Sequence, residues 1–447
     1  MSIPTTVLVL PFPAQGHVNP MMILSQKLVE NGCKVVFLNT EFNHKRMVSC
    51  MVEQQDEEDS LIKLVSIPDG LGGDDHRKDL AKVCDVILST MPHALENLIT
   101  QENIRFIVAD VNMGWSLKVG CRLGIKGALF SPASAAMFAL VYNIPRLIHD
   151  GIINSDGSLL TTKKTIQLSP GMLEIDTGTL FWLKLLDDGM NIKQILNYLE
   201  ACARSSDLTE LWFCNTTYEL EPRVLTFFPK ILPIGPLLRN YSNMNASSST
   251  RSMGQLWEED LSCMSWLDQQ PRSSVIYVAF GSHTRFDQNQ FNELALGLDL
   301  TDRPFLWVVR QDNNMAYPNE FQGNKGKIVQ WAPQQKVLNH SAIASFFSHC
   351  GWNSTMEGLC NGVPFLCWPY FADQLYNKVY ICDELKVGMG LDLGENGVVS
   401  RWEIKKKLDQ LLSDVNMRTR SLKFKENQLD KGRSSENLNK LVEWIKG

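Results

Sequence analysis

The chain has 447 residues, 44% of them hydrophobic and 21% charged, an ordinary globular composition with room for two or three separate cores. A net charge of −6 provides no basic surplus for a nucleic-acid partner. The eleven cysteines include no C-x-x-C pair. They read as reduced thiols of a cytoplasmic protein, not as a disulfide framework or a zinc site.

No apolar run approaches the roughly 18 residues that a membrane span needs, so no stable membrane insertion is expected. The opening MSIPTTVLVLPFPAQGH lacks a basic leader, and its apolar run 7–10 stops at Pro11. It reads as a first β-strand instead of a signal peptide. Further β-rich runs follow at 35–38, 62–66, 106–109, 128–130 and 211–214, with helical patterns such as 20–30 and 79–98 between them. Strands alternating with helices predict an α/β fold with a parallel, doubly wound sheet. Ligands of such sheets sit beyond the C-terminal ends of the strands.

Two residues lie at such ends. His17 falls in the loop 11–20 after the first strand, and Asp110 follows the fourth. A lone loop histidine reads equally as a capping or exposed residue, and a lone aspartate as a turn former or helix cap. Together they suit a base and its orienter, because a carboxylate can hold an imidazole tautomer and stabilise its charged form. Residues 151–189 are poorly periodic and read as loops and short helices, either over a pocket or as a plain surface insertion.

The Ser/Asn-rich stretch 239–254 is the expected linker between a domain at 1–238 and another at 255–430. The second half restarts the pattern with strands at 274–280, 305–309 and 327–329 and an amphipathic helix at 288–300. The polar loop 281–284, with Gly281, Ser282 and Thr284, could meet a pyrophosphate or form a simple hydrogen-bonded turn. The block 331–374 then reads helix, strand, loop, helix, strand. Pro333 opens the first helix. Asn353 or Ser354 caps the second, with Glu357 in its first turn, and Gly362 ends it. A polar loop containing His349 thus meets a helix N-terminus, where free N–H groups and the dipole favour phosphate. The tail 401–446 is helical and charged, with Trp402 and Trp444 as anchors.

The block 331–374 resembles the 44-residue donor-binding signature of the plant UDP-dependent glycosyltransferases that act on small molecules. The resemblance rests on Trp331-Ala332-Pro333-Gln334, His349-Cys350-Gly351-Trp352-Asn353-Ser354, Glu357, Gly362-Val363-Pro364 and Asp373-Gln374. Ala344 departs from the family's usual glycine. Pro13-x-Gln15-Gly16-His17-x-x-Pro20 is similar to the family's N-terminal motif, and Ala109-Asp110 to the segment with its supporting aspartate.

The resemblance implies two facing Rossmann-like domains of GT-B type with a cleft between them, and a final helix at 431–447 packed back on the first domain. His17 would be the catalytic base and Asp110 its support. Trp331 would stack uracil while the Ala332 backbone reads its edge, with Gln334 completing that tetrad. Glu357 would hold the ribose, Asn353 and Ser354 the α-phosphate, His349 the β-phosphate and Ser282 the diphosphate. Trp352, Asp373 and Gln374 would meet the sugar, and the closing glutamine favours glucose, with other hexoses, xylose or glucuronic acid left open. Met113, Trp115 and Phe371 read as walls of the acceptor pocket or as core.

The activity implied is inverting, metal-independent transfer from UDP-glucose, as co-substrate, to a hydroxyl of a flavonoid, other phenolic or terpenoid. A monomer is expected. Two other classes compete. A nucleotide-dependent oxidoreductase would show Gly-x-Gly-x-x-Gly after its first strand, and neither half does. A nucleotide-sugar or hydrophobic-ligand binding protein without turnover would not need both His17 and Asp110.

Overall fold

The structure is a computed structural model, and it describes residues 4–51, 61–72, 77, 79–170, 172, 174–187, 189–239, 253–426 and 432–447. Most of the stretch expected as a linker, 240–252, lies outside the described residues. The chain divides into two compact units, Met1–Trp257 together with Asp430–Gly447, and Glu258–Leu429.

The first unit is built on seven strands. They are β1 (Thr6–Leu10), β2 (Lys34–Thr40), β3 (Ile62–Ile67), β4 (Phe106–Asp110), β5 (Lys126–Ser131), β8 (Trp212–Cys214) and β9 (Ile231–Pro233). Between β5 and β8 a short antiparallel pair, β6 (Thr165–Ile166) and β7 (Ile175–Asp176), stands apart from the sheet. The sheet order is β3-β2-β1-β4-β5-β8-β9, and every pairing is parallel. Helices cover both faces, so the central strands are apolar runs without alternation; Val7 to Leu10 are all buried. β9 carries Pro233. It is tolerated because β9 is an edge strand, where a missing N–H costs no ladder bond.

The last helix, Arg433–Lys446, belongs to this unit. Leu441, Val442 and Ile445 join the core around Val7, Phe37 and Phe106, and Trp444 meets Phe106 edge-on at 5.4 Å. Asn437 fixes its register by donating to the Pro233 carbonyl at 2.9 Å. Trp402 does not share that anchoring role. It sits near the start of the helix Arg401–Ser413 and is 64% exposed.

The second unit repeats the design with β10 (Val275–Ala279), β11 (Phe305–Val308), β12 (Gly326–Val329), β13 (Ile343–Ser348), β14 (Phe365–Cys367) and β15 (Gly388–Gly390). Their order, β12-β11-β10-β13-β14-β15, is again wholly parallel. Counted from its own first strand it runs 3-2-1-4-5-6, the doubly wound order of nucleotide-binding sheets. The first unit has the same order with one strand added at its edge. In each sheet the chain therefore reverses direction beside its first strand, between β1 and β4 and between β10 and β13. No helix among the described residues is long and apolar enough to cross a membrane.

Candidate active site

The reversal point of the first sheet brings His17 and Asp110 together. The helix that carries His17 spans Gln15–Glu30 and starts five residues before the expected position at Pro20. Ala14 is extended, and its carbonyl accepts the N–H groups of both His17 and Val18 at 2.9 Å. His17 therefore lies in the first helical turn, not in a loop. Its Nδ1 is 2.7 Å from Oδ2 of Asp110. The aspartate is the last residue of β4; its side chain is 0% exposed, against 24% for His17. Its other oxygen, Oδ1, accepts the Asn112 N–H at 2.8 Å and starts the 3-10 turn Val111–Met113. One carboxylate oxygen thus faces the imidazole and the other forms the turn. Phe12 packs its ring 5.3 Å from the imidazole.

Met113 closes this turn, Trp115 opens the helix Trp115–Arg122 after it, and both are buried inside the first unit. Phe371 belongs to the second unit, half-buried, with its ring 6.0 Å from that of His283. The helix Ile192–Ala203 packs across the turn: Tyr198 Oη donates to the Asn112 carbonyl, and Cys202 Sγ donates to the same oxygen at 3.4 Å.

The reversal point of the second sheet gathers the loops after β10 and β13. Gly281 has φ +69°, a conformation that suits only glycine well. A Cβ there would fall 2.6 Å from Nε2 of His349, and a Cβ on Gly351 would meet the same atom at 2.6 Å. The imidazole is thus held between two glycines. Burial pulls its pKa from 6.5 down to about 4; the Ala279 backbone opposes this, and His283 and Arg310 add to it. Arg310, whose side chain is 9% exposed, braces the loop 281–284 by donating to the carbonyls of Gly281 at 2.9 Å and Thr284 at 3.1 Å. Ser282 Oγ lies 2.8 Å from His283 Nδ1.

The helix Trp352–Asn361 begins two to three residues earlier than a cap at Asn353 or Ser354 would set it. Gly351 is its N-cap, and no side chain among the described residues caps it. Asn353 and Ser354 consequently lie in its first turn, and Glu357 in its second. Gly362 ends the helix in the left-handed conformation, φ 67°.

Gln334 ties this helix to β10. Its Nε2 donates to Ser354 Oγ at 2.8 Å and to Glu357 Oε2 at 2.7 Å, while its Oε1 accepts from Tyr277 Oη at 3.2 Å. Trp331 is half-buried, with its carbonyl accepting the Asp260 N–H at 2.9 Å, and Ala332 and Trp352 are buried. Asn377 donates to Asp373 Oδ2 at 2.8 Å and to the Cys350 carbonyl at 2.9 Å. Gln374 places its Oε1 on the N–H groups of Tyr370 at 2.8 Å and Phe371 at 3.1 Å.

Sequence reasoning passed over Tyr277, Arg310, Asn377 and Tyr198. Asn377 could have been found from its i+4 spacing to Asp373 on a helix. The other three carry no local signal.

Two doubly wound sheets, each with polar and titratable side chains at its reversal point, have the architecture of nucleotide-binding α/β proteins. Residues 241–446 match the family model described as UDP-glucoronosyl and UDP-glucosyl transferase. UDP-glycosyltransferase 83A1 of Arabidopsis thaliana is 42% identical over 456 residues, covering 98% of this chain and 96% of that protein. The 7-deoxyloganetin glucosyltransferase of Gardenia jasminoides is 32% identical over 470 residues, covering 97% and 96%. The crystal structure of Os79 from O. sativa in complex with UDP superposes with a TM-score of 0.82 over 98% of this chain and 100% of that one; at 23% identity this shows a shared fold. The chain belongs to the UDP-glycosyltransferase family, enzymes that use a UDP-sugar to glycosylate small molecules.

Proposed function

We propose that the protein transfers glucose from UDP-glucose to a hydroxyl of a small lipophilic acceptor, a flavonoid, other phenolic or terpenoid, with inversion and without a metal. His17 is the general base and Asp110 its support. One observation carries this reading: the 2.7 Å contact between His17 Nδ1 and the fully buried Asp110 carboxylate. With Nδ1 turned to the carboxylate, Nε2 is the nitrogen that takes the acceptor's proton.

In the reaction the acceptor oxygen attacks the anomeric carbon as its proton passes to His17. The carbon–oxygen bond to UDP breaks, and UDP leaves with the electron pair. Asp110 steadies the resulting imidazolium. A single displacement converts an α-linked donor into a β-linked product. General-base assistance of this kind contributes on the order of 10²–10⁴-fold.

The second unit supplies the donor's contacts. Trp331 stacks the base and the Ala332 backbone reads its edge. Glu357, aligned by Gln334, takes the ribose. Asn353, Ser354 and Ser282 take the phosphates at the start of the helix Trp352–Asn361. His349, held neutral by burial, acts as a hydrogen-bond donor to the leaving diphosphate, not as a fixed cation. Trp352, Asp373 and Gln374 orient the sugar. Since the Oε1 of Gln374 is used by backbone N–H groups, its amide N–H groups are the atoms suited to a sugar hydroxyl. The similarity to the 7-deoxyloganetin glucosyltransferase supports glucose. We place the enzyme in the cytoplasm as a monomer, a setting suited to its eleven free thiols.

Proton NMR of the product and a chelator control test the reading. A β-anomer formed at an undiminished rate in excess EDTA supports it. An α-anomer, or loss of activity restored by a divalent cation, contradicts it.

A further inference from the structure

We infer that Tyr198 is a positioning residue for the His17–Asp110 pair, acting through the peptide of Asn112. The inference rests on reading that pair as base and support.

Asn112 is gripped at both ends. Its N–H is held by Asp110 Oδ1 at 2.8 Å, and its carbonyl accepts from Tyr198 Oη and from Cys202 Sγ. Tyr198 and Cys202 are four residues apart on the helix Ile192–Ala203, so one helical face presents both donors. That face is pressed directly on the turn: a Cβ on Gly114 would fall 2.8 Å from the Cys202 carbonyl. The phenol also reaches the other member of the pair. Its ring meets Phe12 edge-on at 6.5 Å, and Phe12 lies 5.3 Å from the His17 ring. Tyr198 therefore touches the route to the carboxylate and the route to the imidazole.

The physical need is clear. A three-residue 3-10 turn has little stability of its own. If it drifts, Oδ1 loses its donor, the carboxylate rotates, and the alignment of Oδ2 with Nδ1 goes with it. A buried phenol whose hydroxyl is satisfied by a carbonyl resists that drift, since breaking the bond costs the buried hydroxyl its carbonyl acceptor and leaves that carbonyl with only a weak thiol donor. The titratable neighbours keep their protons through the neutral range. Burial raises Tyr198 well above its ordinary value, raises Cys84, and pushes Cys202 up to about 12.

The test compares wild type, Tyr198→Phe, Cys202→Ala and His17→Ala as full chains. Tyr198→Phe keeps the ring on Phe12 and removes only the donor. We expect kcat to fall about tenfold with KM for UDP-glucose within about twofold. The His17 ring, titrated by NMR, should shift to lower pH, because a looser carboxylate stabilises the imidazolium less. Cys202→Ala should move both readouts the same way by a smaller amount, which keeps the inference testable if Tyr198→Phe folds poorly. A Tyr198→Phe enzyme with wild-type kcat and an unmoved His17 titration, while His17→Ala is inactive, overturns the inference alone. A lowered melting temperature with neither readout moved shows a structural role only and also overturns it. Full activity in His17→Ala removes the reading of the pair and this inference together.

Discussion

Gln334 and Glu357 stand 23 residues apart in the chain and are joined by a 2.7 Å hydrogen bond from Nε2 to Oε2. The same amide also holds Ser354 and is itself held by Tyr277. Replacing it by a carboxylate reverses the logic of the bond: Gln334→Glu sets two anions at hydrogen-bond distance where one should be free to take a ribose. KM for UDP-glucose should rise about tenfold with a smaller change in kcat, and calorimetry should find UDP bound correspondingly more weakly. Unchanged UDP affinity would mean that Glu357 does not meet the nucleotide.

Gly351→Ala isolates the contact with His349. Gly351 has φ −60°, so alanine brings no backbone penalty, but its Cβ would fall 2.6 Å from Nε2. The ring must move. We expect kcat/KM to drop by about tenfold or more while the melting temperature changes by only a few degrees. Wild-type kinetics in this variant would show that the position of His349 is irrelevant to the reaction.

The depressed pKa of His349 has a consequence for stability. Its value in the fold, about 4, lies below its ordinary 6.5, so the unfolded chain binds this proton first as pH falls. This site costs nothing above pH 6.5, destabilises the fold progressively between 6.5 and 4, and levels off below. Discounted for the partly accessible ring, the effect is about 2 kcal/mol. Urea melts at pH 7 and pH 5 should therefore differ less for His349→Gln than for wild type. An equal difference would rule out the depressed value.

Glu221 is a buried carboxylate that caps a helix from far along the chain. Its oxygens accept the N–H groups of Ala135 at 2.8 Å and Ala136 at 2.9 Å, at the start of the helix Ala135–Tyr142. Glu221→Ala leaves both N–H groups buried without that acceptor and should cost about 2–3 kcal/mol in denaturant unfolding. A loss below about 0.5 kcal/mol would show that water or another group replaces it.

Much of this architecture was legible in the sequence, for identifiable reasons. The strands around 7–10, 106–109 and 343–347 are apolar runs bounded by turns, and Gly362 stops its helix because glycine takes the left-handed conformation without a Cβ penalty. The misplacements share a cause. The helix bearing His17 begins after Ala14 and the one following His349 after Gly351, where no side-chain cap announces them and neither apolar pattern nor capping chemistry places the start. Pro20 looked like a helix start and lies inside one. Trp402 looked like an anchor because tryptophan is usually buried, but its place on a charged helix leaves it in water. Tyr198 was invisible because its partner, Asn112, lies 86 residues away and no periodicity links them.

The most direct test of the central claim is a mass-spectrometric product screen. Purified protein, UDP-glucose and a mixed panel of phenolic and terpenoid acceptors are compared with His17→Ala under the same conditions. The account predicts an acceptor mass increased by one hexose in the wild-type reaction and its disappearance, by about 10²-fold or more, in the variant. Equal product from His17→Ala, or UDP-glucose binding without product from any acceptor, would contradict it.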